Sequence, residues 1–198
     1  MKSKYSFFAL ISRMKYITRW SLMRNSTTEN IQEHSHTVAV LAHALATIRR
    51  DVFGRSADPG LAASMALFHD SSEIFTGDMP TPVKYFDPKI MDAYKKVETI
   101  ASKKLLTALP SELRHAYKKL LSPDKAEEAY TLVKAADNLA AYLKCIEELT
   151  AGNPEFRQAA KQCRKKLDKL ALPEVEYFID NFLPAFELTL DELDFSFE

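Results

Sequence analysis

The sequence predicts an all-α, single-domain helical bundle, and three observations carry that expectation. Only 4 glycines interrupt its 198 residues. Alternation of period two, the mark of a half-buried strand, is nearly absent, while apolar residues recur three and four apart along almost the whole chain. A chain of this length builds one core of ordinary size better than two.

The elements follow in order. The opening "KYSFFALISRMKYITRW" is amphipathic, with Lys4, Arg13 and Lys15 interspersed. It is too broken to span a bilayer or serve as a secretory signal, and reads as the first core helix rather than a membrane-surface helix. Asn30 followed by Glu33 resembles a capping box, opening a second helix with Val38, Leu41, Leu45 and Ile48 on one face. Asp58 and Pro59 supply an N-cap and first-turn proline for a third, which carries Leu61, Met65 and Phe68 and runs on through His69, Asp70 and Glu73 to end near Gly77.

"GDMPTPVKYF" is then a proline-rich loop. Ile90, Tyr94, Val97, Ile100 and Leu105 form the stripe of a helix that stops before Pro110, and Ser111 caps another through Leu121. A long helix from about Asp124 to Thr150 carries Leu132, Val133, Ala136, Leu139, Leu143 and Ile146 on one side, with Gly152 at C′. Pro154 begins a helix whose Lys161, Arg164, Lys165, Lys166 and Lys169 make a solvated face, and Pro173 opens a last short one. There is no internal repeat, no low-complexity stretch and no linker long enough to separate domains.

Twenty-seven basic and 27 acidic residues cancel. The chain therefore lacks the general positive field that nucleic-acid polymers require, although a local cluster could still hold a small anion. Cys145 and Cys163 stand apart without metal-like or redox spacing, which suits a reducing cytoplasm.

Four side chains stand out as possible chemistry: His34 in the second helix, His69 and Asp70 in the third, and Asp137 in the long one. Three packed helices can aim such groups at one point, as metal sites in bundles do. Asp137 is the most telling, because "LVKAADNLAAYL" sets an acid against a core, where it costs several kcal/mol unless a cation or donors compensate it. Two imidazoles and two carboxylates suit manganese, cobalt, iron, zinc or magnesium better than copper(I). Glu73 lies four residues after His69, on the same face of a continuous helix, where it could orient or deprotonate a water.

Each of these residues also has a bland explanation. The His-Asp pair alone fits a hydrogen-bonded helix end, His34 a first-turn contact, and Asp137 an ion pair with Lys134 or Lys144. His36, His43 and His115 have no companions and read as structural or exposed. Arg19 and Trp20 set a planar guanidinium beside an indole, a fork for phosphate and a flat face for a sugar or base, although a sole Trp is commonly a core anchor. Asp78, Met79, Pro80 and Thr81 form a stiff loop that could wall a pocket or simply end a helix.

Taken in order, "RW", "TENIQEHS", "FHDSSEIFTGDMPTPVKYF" and "VKAADNLAAYLKCIEEL" resemble the HD-domain hydrolases, and within them the bacterial 5′-deoxynucleotidases. The resemblance covers nearly the whole chain. It implies a single HD-type bundle over residues 1–198, with a metal-binding core at about 30–140 and the terminal helices packed on it. It further implies one divalent cation held by His34, His69, Asp70 and Asp137, with cobalt, manganese, zinc and magnesium all open, and Glu73 as the carboxylate that works on the nucleophilic water.

By the same resemblance Arg19 orients the phosphate, and Trp20 with Asp78, Met79, Pro80 and Thr81 contacts the nucleoside. His34, Asp70 and Asp137 face the substrate as well. Met79 stands where relatives often carry leucine, a volume-conserving change. The implied reaction is hydrolysis of a deoxyribonucleoside 5′-monophosphate by a cytoplasmic homodimer, with ribose excluded if Trp20 and the Asp78 loop crowd the 2′ position. Two alternatives remain at this point: hydrolysis of nucleoside triphosphates or phosphodiesters on the same metal, and a nucleotide-binding module without turnover.

Overall fold

The structure is a computed structural model that describes residues 4–84 and 86–193; the ends of the expected 1–198 domain, and Tyr85 of the loop motif, lie outside the described residues. Among the described residues the chain forms ten α-helices: α1 (Phe7–Ile11), α2 (Ile31–Thr47), α3 (Pro59–Ala66), α4 (Glu73–Thr76), α5 (Thr81–Lys84), α6 (Pro88–Thr107), α7 (Ser111–Leu121), α8 (Glu128–Thr150), α9 (Arg157–Leu170) and α10 (Pro173–Phe182). β pairing is confined there to an isolated antiparallel bridge between Thr18 and Asn30. No helix among them is long and apolar enough to cross a membrane.

The centre of the bundle is α2, α3 and α8 packed on one another, with α9 and α10 closing the outer side of α8 and α2. Alanines make this close approach possible: Ala42 and Ala46 of α2, Ala62 and Ala66 of α3, and Ala135 and Ala136 of α8 are fully buried. Small residues at the crossing let helix axes approach to the short end of the usual 8–10 Å range. Leu45, Met65, Leu132, Leu139, Leu143 and Val175 fill the space around them. A second cluster gathers Phe7, Leu105, Leu109 and Leu121 against Phe68 and Tyr117.

The structure corrects several expectations. α3 ends at Ala66, and the stretch from Leu67 to Ser72 tightens into turns of i→i+3 spacing, with Phe68 N–H on the Met65 carbonyl at 3.2 Å and Ser71 N–H on that of Phe68 at 3.1 Å. The cause is local: His69 Nδ1 bonds the Ala66 carbonyl at 2.7 Å, taking the acceptor that a continuing helix would offer to residue 70. His69 and Asp70 thus sit on a turn, and Glu73 starts α4 instead of sharing a helical face with His69.

Other differences are smaller. The opening segment is a short α1 followed by a 3₁₀ stretch, Ser12–Tyr16, with Phe7 and Met14 buried; Ser12 Oγ donates to the Ala9 carbonyl at 2.9 Å at the junction. The proline-rich loop holds the single turn α5. Ser111 is the first residue of α7 and not its cap, its hydroxyl bonding Glu112. α8 starts at Glu128, because Asp124 turns its carboxylate onto the Ala126 N–H instead of capping a helix there. On α6, Tyr94 and Leu105 are buried, but Ile90, Val97 and Ile100 face outward because that helix lies at the periphery.

Candidate metal centre

The capping box sets the start of α2: Asn30 Oδ1 accepts the N–H groups of Gln32 and Glu33 at 3.0 Å, and Glu33 returns a carboxylate oxygen to the Asn30 N–H at 3.0 Å. His34 is therefore fixed in the first turn, wholly buried and directed at α8. Asp137, midway along α8, receives it, with His34 Nε2 3.1 Å from Asp137 Oδ1. The turn after α3 brings the other two groups. His69 Nε2 lies 3.1 Å from Asp70 Oδ2, and His34 Nε2 lies 3.6 Å from that same oxygen. One ligand atom from each of His34, His69, Asp70 and Asp137 lies within 4.8 Å of the others.

These donors fit a divalent cation. Since a carbonyl only accepts, His69 Nδ1 carries the proton given to Ala66, which turns Nε2 inward, and that buried atom has no aligned hydrogen-bond partner. Burial, helped by Arg19, lowers the His34 pKa and keeps it a neutral imidazole, the form that binds metal. Burial pushes the Asp70 and Asp137 carboxyls up, but His69 outweighs it for Asp70, and His34, His69 and Lys134 outweigh it for Asp137, so both stay below the usual carboxylate range and ionised. Burial also lowers His69, yet Asp70 and Asp137 raise it to about 10. Two carboxylates at the centre of the bundle thus demand positive charge, and a cation satisfies them as a proton does.

Around the four donors stand groups that can handle an anion and a proton. Glu73 is buried, its Oε2 has no hydrogen-bond partner, and burial together with Asp70 and Asp78 raises its pKa to about 9. Arg19 is mostly buried and its Nη1 is likewise without a partner, a free donor on a fixed guanidinium. Trp20 adopts a left-handed backbone, φ 56°, a strained state for a bulky side chain. It is held there by the Met23 N–H and the Asn25 amide on its carbonyl, at 2.9 and 3.2 Å, and by its ring against Phe156. The sole tryptophan is thus both a core anchor and a neighbour of the centre.

Burial raises the Asp78 pKa while Arg19 and the nearby Trp20 backbone N–H oppose the rise, which sets the loop after α4 beside the Arg19–Trp20 segment. Met79, Pro80 and Thr81 continue that loop into α5, which Gly77, φ 70°, turns sharply away from α4. The Tyr94 hydroxyl braces it from α6, donating to the Gly77 carbonyl at 3.3 Å. His36, His43 and His115 are exposed, outside the cluster.

Two residues join the site that the sequence did not single out for it. Lys134 lies with Nζ 3.6 Å from Asp137 Oδ2, one turn earlier on α8, an ion pair foreseen only as an alternative to metal binding. Glu29, just before the α2 cap, touches Arg19, Trp20 and the rear of His34. No periodicity marks Glu29, since it lies outside any helix and its partners are gathered by the Thr18–Asn30 bridge.

A family model described as 5′-deoxynucleotidase YfbR-like matches residues 6–186. A 5′-deoxynucleotidase of Photobacterium profundum is 50% identical over 191 residues, covering 96% of this chain and 98% of its own. One from Erwinia tasmaniensis is 51% identical over 188 residues, 94% of this chain and 95% of its own. Among solved structures, an HD-domain phosphohydrolase from Listeria innocua is similar at a TM-score of 0.79 and 22% identity, over 91% of this chain and 88% of its own. A cyanophage S-2L HD phosphohydrolase, solved with dA and one catalytic zinc ion, gives 0.61 at 20% identity, over 93% of this chain and 98% of its own. At such identities the solved structures speak for the fold alone.

Proposed function

Since this chain belongs to the YfbR-like 5′-deoxynucleotidase family of HD-domain phosphohydrolases, we propose that it hydrolyses 2′-deoxyribonucleoside 5′-monophosphates to deoxynucleosides and inorganic phosphate. The observation that carries this reading is the convergence of His34, His69, Asp70 and Asp137 beside two buried groups that each keep one unpartnered atom, the Glu73 carboxylate at Oε2 and the Arg19 guanidinium at Nη1.

The four donors hold one divalent cation. When bound there, it would supply Lewis acidity for hydrolysis of a phosphate ester. Arg19 Nη1 takes a further phosphoryl oxygen and offsets charge that grows in the transition state. Glu73 accepts the proton as the water oxygen attacks phosphorus, and the P–O5′ bond breaks as that proton passes to the leaving deoxynucleoside oxygen. Water and monoester become alcohol and phosphate, with no other reactant. Trp20 and the loop of Asp78, Met79, Pro80 and Thr81 hold the sugar and base, and His34, Asp70 and Asp137 line the phosphate side.

The same reading makes the protein a cytoplasmic homodimer. The two buried free thiols, Cys145 and Cys163, suit a reducing compartment, and the outward Val97 and Ile100 of α6 offer apolar area for a second copy. The activity is tested by incubating protein loaded with cobalt or manganese with deoxy- and ribonucleoside 5′-mono- and triphosphates and measuring products. Inorganic phosphate from deoxy monophosphates is the expected result. Release of pyrophosphate or triphosphate, or no release from any deoxy monophosphate, overturns it.

A further inference from the structure

We propose that Glu29 is the positioning residue of this centre: one carboxylate that sets the metal-binding tautomer of His34 and, through its other oxygen, fixes both the phosphate-binding Arg19 and the nucleoside-facing Trp20. The proposal rests on the metal-dependent reading above. Glu29 Oε1 lies 3.9 Å from His34 Nδ1, on the side of the ring opposite the four-donor cluster. Glu29 Oε2 accepts the Trp20 indole N–H at 3.2 Å and lies 3.5 Å from Arg19 Nε.

The His34 ring is wholly buried, and its Nε2 faces Asp137 and Asp70. A neutral imidazole that presents a lone pair at Nε2 carries its proton at Nδ1, which makes no hydrogen bond, the 3.9 Å to Glu29 Oε1 being an ion-pair distance. Glu29 is the anion facing that proton. Histidine ligands gain basicity and a fixed ring orientation from such a carboxylate, and its loss typically weakens metal binding or activity about 10- to 100-fold.

The same acid also locks the strained neighbour. Trp20 sits at φ 56°, and a backbone of this kind persists only where its surroundings over-determine it. The indole bond to Glu29 is one of those restraints, and the Glu29 backbone supplies another by accepting the Arg19 N–H at 2.9 Å. Glu29 is itself held from both sides: the Thr18–Asn30 bridge pairs its segment with the one carrying Arg19 and Trp20, and the Ile31 N–H bonds the Ile17 carbonyl at 2.9 Å. A shift of this one side chain therefore moves a ligand, a phosphate clamp and a nucleoside wall together.

Two substitutions separate its roles. Glu29→Gln keeps an oxygen for the indole N–H but removes the negative charge; Glu29→Ala removes both. Cobalt(II) alone, titrated by its visible absorption and by calorimetry, reads the His34 side without turnover. The chain's single tryptophan makes Trp20 its own fluorescent reporter. Expected are cobalt affinity about 10- to 100-fold weaker in both variants, a Trp20 emission maximum kept in Glu29→Gln and red-shifted in Glu29→Ala, and thermal melts of Glu29→Gln close to those of the unchanged protein.

Should Glu29→Ala fail to fold, Glu29→Gln with its intact melt still decides the case. Cobalt affinity within two-fold of the unchanged protein in Glu29→Gln overturns the proposal, as does unaltered Trp20 emission in folded Glu29→Ala. Because neither readout needs substrate, these results stand apart from a failure of the unchanged protein to release phosphate, which would count against the proposed activity.

Discussion

Glu73 shows how far burial shapes a single side chain. With Asp70 and Asp78 as neighbours and little water to solvate it, the carboxyl is raised to about 9, so it holds a proton at neutral pH until positive charge arrives beside it. A group so poised can take and return a proton, whereas an exposed glutamate remains a weak base. Glu73→Gln keeps the volume and should leave cobalt affinity within a few-fold, because the four ligand atoms come from other residues. Phosphate release should fall by about 100-fold or more, the usual scale for losing a general base. Lost cobalt binding would assign Glu73 to ligation instead, and an unchanged rate with the metal kept would remove it as the base.

At the level of elements, the decisive feature is how α8 is tied to the segment before α2. Glu148, buried near the end of α8, accepts the backbone N–H groups of Ser26 and Thr27, the Asn153 amide and the Lys144 ammonium, and Lys144 also donates to the Thr27 carbonyl. That clamp holds the chain leading into Glu29 and the α2 cap. Burial raises the Glu148 carboxyl, but Lys144, Asn153 and the two backbone donors prevail and bring it from 4.5 to about 2.

The sign of the pH effect follows from that depressed value. The stability that Glu148 contributes is complete above its unfolded pKa of 4.5 and is lost as pH falls from there through about 2. At about 1.4 kcal/mol per pH unit the drop amounts to about 3 kcal/mol. Urea unfolding should find Glu148→Gln less stable by about that amount at pH 7, with the gap narrowing steadily below pH 4.5. A gap independent of pH would mean that the clamp works by shape and not by charge.

For the molecule as a whole, stability and site geometry share one set of helix contacts. α2 and α8 bring His34 to Asp137, and the same two helices bury Leu45, Leu139 and the alanines between them. Leu45→Ala removes a fully buried side chain from a crossing already narrowed by alanines, where little is left to collapse into the space. The expected loss is about 2–5 kcal/mol, read as a lower denaturation midpoint with an unchanged slope. A loss under about 1 kcal/mol would indicate a core able to repack around the gap.

Legible along the chain were the helical class, the starts of α2, α3 and α10, and the identity of the four donors. Asn30, Asp58, Pro59 and Pro173 act within a turn of their own positions, so their signals are local and legible. Asp137 was legible for a related reason: an acid in an apolar stripe is out of place whatever it meets. Packing decided that α3 breaks at Ala66: the competing bond is local, but His69 turns onto the Ala66 carbonyl where its other nitrogen faces Asp70 and Asp137. It also decided that Ile90, Val97 and Ile100 face outward, since a stripe says which residues share a side and not what covers it. Glu29 was hidden for the strongest reason, as its partners lie on other segments and meet only when the Thr18–Asn30 bridge and the packing of α2 on α8 fold them together. Local chemistry is written along the chain, but convergence is a property of the packed core.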